Sequence, residues 1–294
     1  MFTNYLKLTI RHLWRNRVFT FLNVAGLAIG LSAAWIMYQY VSFEFSYDTG
    51  HPQEDRVFRV VSRFLHDGAE SGNPGVPQPL AETAHTLAGV ELAVPVFSKW
   101  VKSVQPGLPG ANGKKVEEVE NVIQTSDHYF KLVRYDWLAG NPEGALARPD
   151  QVVLTSSRAA EYFPGVAPAQ LVGQTLTYDD TLVVQISGVV ADLDYPSSFI
   201  GQEFRSLPKE KAEEAWWTST NSSHQLYVQL AKNTNPETFL EQLNRLSTEK
   251  SGDLMSKWGM KRWHLLQTLK DIHFATDYGG HIRTANKKVL YVLM

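Results

Sequence analysis

The chain has 294 residues, 44% of them hydrophobic and 20% charged, with a net charge of −2. Lys7, Arg11, Arg15 and Arg17 are unopposed in the first 17 residues, so the remainder carries about −6, which argues against nucleic acid as a partner. There is no cysteine, which excludes disulfides, cysteine-ligated zinc and a thiol nucleophile.

Residues 4–17 predict an amphipathic helix. Leu6, Ile10, Leu13 and Trp14 share one face, and Lys7, Arg11 and Arg15 share another. That pattern suits a helix lying in a membrane interface; the alternative is a solvated basic turn before a span. Residues 18–43 contain no Asp, Glu, Lys, Arg, His or Pro. At roughly 1.5 Å per residue they make about 39 Å of helix, more than the ~30 Å hydrocarbon core of a bilayer. The run is longer than a signal-peptide core and continues past Ala34 into Trp35, Ile36 and Met37, so it reads as an uncleaved anchor. Gly26 and Gly30, extended by Ala33, form a small-residue face suited to packing against another membrane helix. Four cations precede the span, and Glu44, Asp48, Glu54 and Asp55 follow it before Arg56. The cation bias puts the N-terminus in the cytoplasm and the bulk of the chain outside.

Residues 56–65 predict a strand with Phe58, Val60 and Phe64 inward and Arg59 and Arg63 on a wet side. Residues 68–79 read as a loop, 79–88 as a helix stopped by Gly89, and 91–104 as extended. A similar unit returns later: a strand at 224–231, a helix from Pro236 to about Lys250, and an extended stretch at 262–269. Strand–helix–strand twice, with a long insertion between, is the order of a split ferredoxin-like sandwich. The insertion, 116–215, reads as strands at 116–123 and 151–155, and a short helix capped by Ser126. A second helix is capped by Ser156 or Ser157, and a hairpin turns at Asp179–Asp180. Residues 209–215 read as a short helix leading back. At 287–294 an apolar run begins that reads as the start of a second membrane span, with a C-terminal strand or helix end as the alternative.

No catalytic constellation is visible. Residues 107–115 miss the phosphate-binding loop pattern in spacing and in the final hydroxyl, and read as a turn. His12, His51, His66, His85, His128, His224, His264, His273 and His281 are scattered and make no metal motif. Asp192, Asp194 and His224 are the best residues for a tethered enzyme. Solvated carboxylates at a strand exit are the plainer reading. Trp216, Trp217, Trp258 and Trp263 suit either an apolar groove or core packing. Asn221–Ser223 is a glycosylation sequon that has no meaning in a bacterial host.

Several stretches in order resemble MacB/FtsX-type ABC transporter permeases. They are NYLKLTIRHLWRNRVFTFLNVAGLAIGL at 4–31, FEFSYDTGHPQEDRVFRV at 43–60, HYFKLVRYDWLAGNPEGALARPDQVVLTSSRAAEYF at 128–163, GQTLTYDD at 173–180, ISGVVADLDYPSSF at 186–199 and LQTLKDIHFATDYGGHIR at 266–283. The resemblance implies four membrane helices in the full subunit, of which only the first and the beginning of the second are here. It implies a homodimer or heterodimer of permease copies, driven by a cytoplasmic ABC ATPase that binds the ATP and Mg, with none bound by this chain. It leaves room for a periplasmic adaptor protein.

The expected fold is α+β: an N-terminal transmembrane helix followed by a two-lobed extracytoplasmic domain. The expected division is a cytoplasmic interfacial helix at 1–17, touching membrane lipid, and the span at 18–43. A porter-like lobe follows at 44–115 and 216–286, an inserted α/β lobe at 116–215, and a second span starts at 287–294. The expected function is mechanotransmission in the inner membrane of a bacterium. The competing expectation is a membrane-anchored binding or sensor module with no ATPase.

Overall fold

A computed structural model describes residues 2–51, 53–107, 115–207, 214–278 and 283–293. The chain divides into two compact units: 1–46 with 286–294, and 47–285.

The first unit is helical. Helix α1 spans Phe2–Arg15 and α2 spans Arg17–Phe45. α2 has 29 residues and is the one helix among the described residues long and apolar enough to cross a membrane. Nearly every side chain from Val18 to Tyr40 is exposed, including Leu27, Ile29, Trp35 and Ile36. Water would reject such a surface, at about 25 cal/mol per Å² of apolar area. A short C-terminal helix belongs to the same unit, and its Tyr291 ring lies 5.8 Å from that of Phe45 on α2.

The second unit holds the strands and the remaining helices. In chain order it runs β1 (Val57–His66), β2 (Ala69–Asn73), α3 (Gln78–Thr83) and β3 (Val90–Gly107). Then come β4 (Val116–Thr125), α4 (His128–Leu132), β5 (Trp137–Gly140), β6 (Gln151–Thr155), α5 (Ser156–Tyr162) and α6 (Pro168–Leu171). β7 (Thr175–Tyr178), β8 (Leu182–Val190) and β9 (Glu203–Ser206) follow. β10 (His224–Leu230), α7 (Pro236–Lys257), β11 (Met260–Thr268) and α8 (Leu269–Ile272) complete the unit, and α9 (Lys287–Leu293) is the short C-terminal helix of the first. The eleven strands among the described residues join one sheet, ordered β11-β1-β10-β3-β4-β9-β6-β8-β5, with β2 on β1 and β7 bridging β3 and β8.

The strands β11-β1-β10-β3 are antiparallel throughout. With α3 between β1 and β3 and α7 between β10 and β11, this is the expected split ferredoxin-like order. Val60, Leu80, Phe97, Leu226, Phe239 and Leu243 form the core on the helical side. Each buried aliphatic or aromatic chain contributes about 1.5–3 kcal/mol. The 18-residue β3 is long enough to pair with β10 through its first half and with β4 and β7 through its second. It thereby carries the sheet from the ferredoxin-like part into the insertion, whose own core includes Val122, Leu154, Phe163, Leu176 and Ile186.

Several expectations need correction. β1 has no wet side over its first half: Val57 to Ser62 are all buried, Arg59 among them. A central strand is covered on both faces. Helices lie on one, and a second core with Val57, Val94, Tyr227 and Leu269 lies on the other. Part of the predicted loop 68–79 is β2, turned back onto β1 through Asp67 and Gly68, both at positive φ. Thr155, not Ser156 or Ser157, occupies the N-cap position of α5, its hydroxyl accepting from Arg158 N at 3.4 Å. Ser126 is not the cap of α4; Asp127 holds that position and makes no side-chain cap bond. α7 runs past Gly252 to Lys257, with Ser247 and Ser251 facing inward and accepting from Arg262, and Gly259 at φ +64° follows its end. The hairpin turns where expected: Tyr178 pairs with Leu182, Asp179 and Asp180 between them are both at positive φ, and Thr181 N donates to Tyr178 O at 3.0 Å. The predicted turn at 107–115 and helix at 209–215 fall almost wholly outside the described residues.

Candidate functional site

The segment that leaves α2 is short, polar and fixed. The helix ends on Ser46, whose hydroxyl donates to Phe43 O at 2.7 Å. Within the second unit, residues 47–51 then lie along 195–199, the stretch that leads out of β8 towards β9. Asp48 is fully buried at φ +56°. Its amide donates to Pro196 O at 2.9 Å, and its Oδ1 accepts from Ser197 Oγ at 2.7 Å and Ser198 N at 2.9 Å. A carboxylate receiving a hydroxyl and an amide is a strong, directional anchor. At Gly50 the Tyr195 ring comes so near that a Cβ would lie 3.5 Å from it. The His51 ring lies 5.3 Å from that of Phe199.

Tyr47 has a different partner. Its ring stacks on His273, with centroids 3.6 Å apart and planes 5° from parallel. His273, just beyond α8, is fully buried. Its Nδ1 donates to Arg283 O at 3.0 Å, which fixes the tautomer. Its own carbonyl accepts from Ala285 N at 2.8 Å. Residues 47 and 285 are the two ends of the second unit, so both of its covalent links to the first unit are tied to one histidine.

From this clasp a packed aromatic run leads into the insertion. Phe199 touches Tyr227 on β10 at 4.9 Å and Tyr129 on α4 at 6.1 Å. Tyr129 lies 5.1 Å from Phe204 on β9, and Phe204 is 5.3 Å from Phe130, which packs on Trp137. Burial holds the phenol of Tyr129 well above its ordinary pKa and pushes that of Tyr227 up to about 12, so both are neutral contacts. Beside Tyr227 in the sheet, Arg59 donates from Nε and Nη2 to Gln267 Oε1, at 3.0 and 2.6 Å.

The candidate residues from the sequence are dispersed. Lys7, Arg11, Arg15 and Arg17 are exposed on α1 and at the start of α2. Gly26, Gly30 and Ala33 lie on the exposed α2, and a Cβ on either glycine would meet nothing within 4 Å. Asp192 is tied to the start of α5, accepting from Ser156 Oγ at 2.5 Å, Ser157 Oγ at 2.6 Å and Ser157 N at 2.9 Å. Although burial opposes it, these bonds hold its pKa below the carboxylate range. His224 instead packs on Phe97 at 4.6 Å and lines a cleft with Gln78, Trp216, Ser219 and Asn221. Burial and Lys99 hold its pKa below the usual value. Asp192 and His224 thus serve different surroundings. Trp217 is buried, Trp216 and Trp258 exposed, and Trp263 half-buried. Among the described residues no three His, Asp or Glu side chains group as a metal site.

Sequence reasoning placed Asp48 only among the acids after the span and His273 only among the scattered histidines, and it passed over Tyr47, Ser197 and Ser198. The signal was present but unexplained: SYDTGH, DYPSSF and DIHF are three of the stretches that carry the family resemblance, and they meet here.

The family profile of the MacB-like periplasmic core domain matches residues 20–246. Among solved structures, a domain assigned to a permease protein from Porphyromonas gingivalis is similar at a TM-score of 0.61. It has 16% sequence identity and covers 83% of this chain and 98% of that one. The periplasmic region of MacB from Actinobacillus actinomycetemcomitans has a TM-score of 0.46 and 14% identity, over 72% of this chain and 90% of that one. The extracellular domain of the noncanonic ABC-type transporter YknZ from Gram-positive bacteria has a TM-score of 0.46 and 13% identity, over 72% and 99%. No curated protein matches.

Proposed function

The chain belongs to the family of the MacB-like periplasmic core domain, and on that premise we propose that it is the first membrane helix and extracytoplasmic domain of an ABC permease. It works by mechanotransmission. A separate cytoplasmic ATPase binds ATP and Mg and supplies the motion; a second permease copy completes the membrane part, and an adaptor or cargo is met outside. α2 crosses the inner membrane with its N-terminus in the cytoplasm.

The observation that carries this reading is the double attachment at His273. A displacement of α2 moves Tyr47, and Tyr47 is stacked on the residue whose carbonyl holds Ala285, the last residue before the C-terminal membrane-side segment. The same displacement pulls Asp48 against Ser197 and Ser198, and through Phe199 it reaches Tyr227 and Tyr129. Closely packed cores shift between discrete arrangements rather than deforming smoothly, so a short pull at one end is passed to the other. A mere tether would need neither the stack nor the buried carboxylate.

The test adds a thiol to a stretch of 294 residues that has no cysteine of its own. Thr49→Cys, next to the buried Asp48, is placed in the full permease assembled with its ATPase. Crosslinking between copies is compared with and without ATP. A change in crosslink yield or span is expected. Identical patterns, or a permease that purifies with no ATPase at all, would overturn the coupling and leave an anchored binding or sensor module.

A further inference from the structure

Among the described residues, both faces of helix α1 are exposed. Leu6, Ile10, Leu13 and Trp14 are exposed by 47–78%, a large apolar stripe for a 14-residue helix. Lys7, Arg11 and Arg15 are exposed beside it, and Arg17 follows. No carboxylate occurs before Glu44. The joint to α2 is a single residue, Asn16, and hydrogen bonds cross it. Asn16 N donates to His12 O at 3.1 Å, Thr20 N to Asn16 O at 3.0 Å, and Thr20 Oγ1 to Leu13 O at 3.0 Å. The elbow is therefore a fixed feature, not a slack tether, and it holds α1 within one residue of the apolar span.

We propose that α1 is a binding surface for anionic phospholipid. It lies in the headgroup layer at the start of α2. Leu6, Ile10, Leu13 and Trp14 enter the acyl boundary, and Lys7, Arg11, Arg15 and Arg17 engage lipid phosphates and acidic headgroups. The proposal rests on the reading of α2 as a membrane span. The apolar stripe alone would accept any bilayer. The unbalanced charge selects an acidic one, because a zwitterionic surface offers no net potential, and each cation near an anionic leaflet is worth about fivefold in occupancy. Arginine adds paired donors that match phosphate geometry. An acidic groove on a protein would match the cations but leave the apolar stripe uncovered. Lipid covers both, and it is always within reach of a helix joined to a span.

The experiment uses the full chain in nanodiscs, with a single environment-sensitive fluorophore on Leu13→Cys or, as a control, on Ile29→Cys. Discs contain phosphatidylcholine alone or with one-third phosphatidylglycerol. The expected result is that the label at 29 is lipid-buried in both discs. The label at 13 should be quenched by spin-labelled lipid several-fold more in the acidic discs. That excess should vanish in high salt and in the triple variant K7E/R11E/R15E, and persist in K7R. Equal quenching at 13 in the two discs, with 29 buried, would overturn the lipid selectivity alone. A label at 29 that stays aqueous would overturn the span and this proposal together. Protection of 13 only on adding the ATPase would make α1 a protein-docking helix and overturn the lipid assignment.

Discussion

Tyr47 stacks on His273 with ring centroids 3.6 Å apart, although one follows the long N-terminal helix and the other precedes the last helical segment. Such a pair is worth about 0.5–1.5 kcal/mol beyond its area. The half-buried Tyr47 also covers the fully buried imidazole. Tyr47→Ala should therefore lower unfolding stability by about 2 kcal/mol, and Tyr47→Phe by under about 0.5, since only the ring is used. Urea unfolding of the three proteins measures this. If the alanine and phenylalanine variants behave alike, the stack is incidental.

Asp48 supports the second half of the clasp, and two effects compound there. Its carboxylate accepts two hydrogen bonds in a site closed to water. Its backbone sits at φ +56°, a region that Asn, Asp and Gly tolerate and alanine resists by about 1–2 kcal/mol. Asp48→Ala should cost about 3–4 kcal/mol, summing a lost charge-assisted acceptor and the backbone strain. Asp48→Asn keeps one acceptor and the conformation, and should cost less than half as much. Hydrogen exchange at the Ser198 amide gives a local readout. Its protection should collapse in the alanine variant and persist in the asparagine variant.

The contrast between these residues and the rest of the fold shows what a sequence can carry. The long apolar helix, the double strand–helix–strand order and the Asp179–Asp180 hairpin were legible, because each depends on neighbours a few positions apart. Arg59 was misplaced for a physical reason. Alternation of polar and apolar residues identifies a wet face only when one face is wet, and β1 lies between β10 and β11 with both faces covered. Its guanidinium is held by Gln267 across the strand, a pairing set by register. The clasp was illegible in the same way. Asp48 binds Ser197 and Ser198, and Tyr47 binds His273, across chain separations that local periodicity does not reach. β9 is four residues long and carries no periodic signal, yet it joins the β4 side of the sheet to β6.

β9 also buries Glu203. Its carboxylate accepts from the hydroxyls of Tyr162 and Tyr178, and Arg158 Nε lies 3.2 Å away without the alignment of a hydrogen bond. Burial raises the Glu203 pKa, against the opposing pull of the two tyrosines, Arg158 and Arg205. With the folded pKa above the unfolded one, the folded state binds more protons. Stability from this group is then present at low pH and is lost as pH rises from about 4.5 through the folded pKa. Glu203→Gln should remove that slope while retaining an acceptor for one tyrosine. Unfolding free energies measured from pH 4 to 8 test the sign; a slope unchanged in the variant would refute it.

His264 should impose the opposite slope. Its Nδ1 lies 3.1 Å from Ser62 Oγ, and since Ser62 donates to Gly75 O at 2.7 Å, the imidazole must be the donor at that end. Nε2 then accepts from Ser247 Oγ at 2.9 Å. Arg262, which donates to Ser247 and Ser251, adds a nearby positive charge. Burial first, and Arg262 second, depress the His264 pKa to about 3. The neutral ring is the native one, whereas the unfolded chain protonates near pH 6.5. Stability is complete above that value and falls as pH drops towards 3, by up to about 1.4 kcal/mol per unit. His264→Gln should be less stable at pH 7, having lost a fitted ring, yet its stability should decline less between pH 6.5 and 4. Because Glu203 and His264 act in opposite senses where their windows overlap, the wild-type profile is shallow, and only the single variants expose each slope. A histidine variant that follows the wild-type curve in parallel would mean that the ring takes up its proton as readily in the fold as in the unfolded chain, with Nε2 donating to Ser247 Oγ.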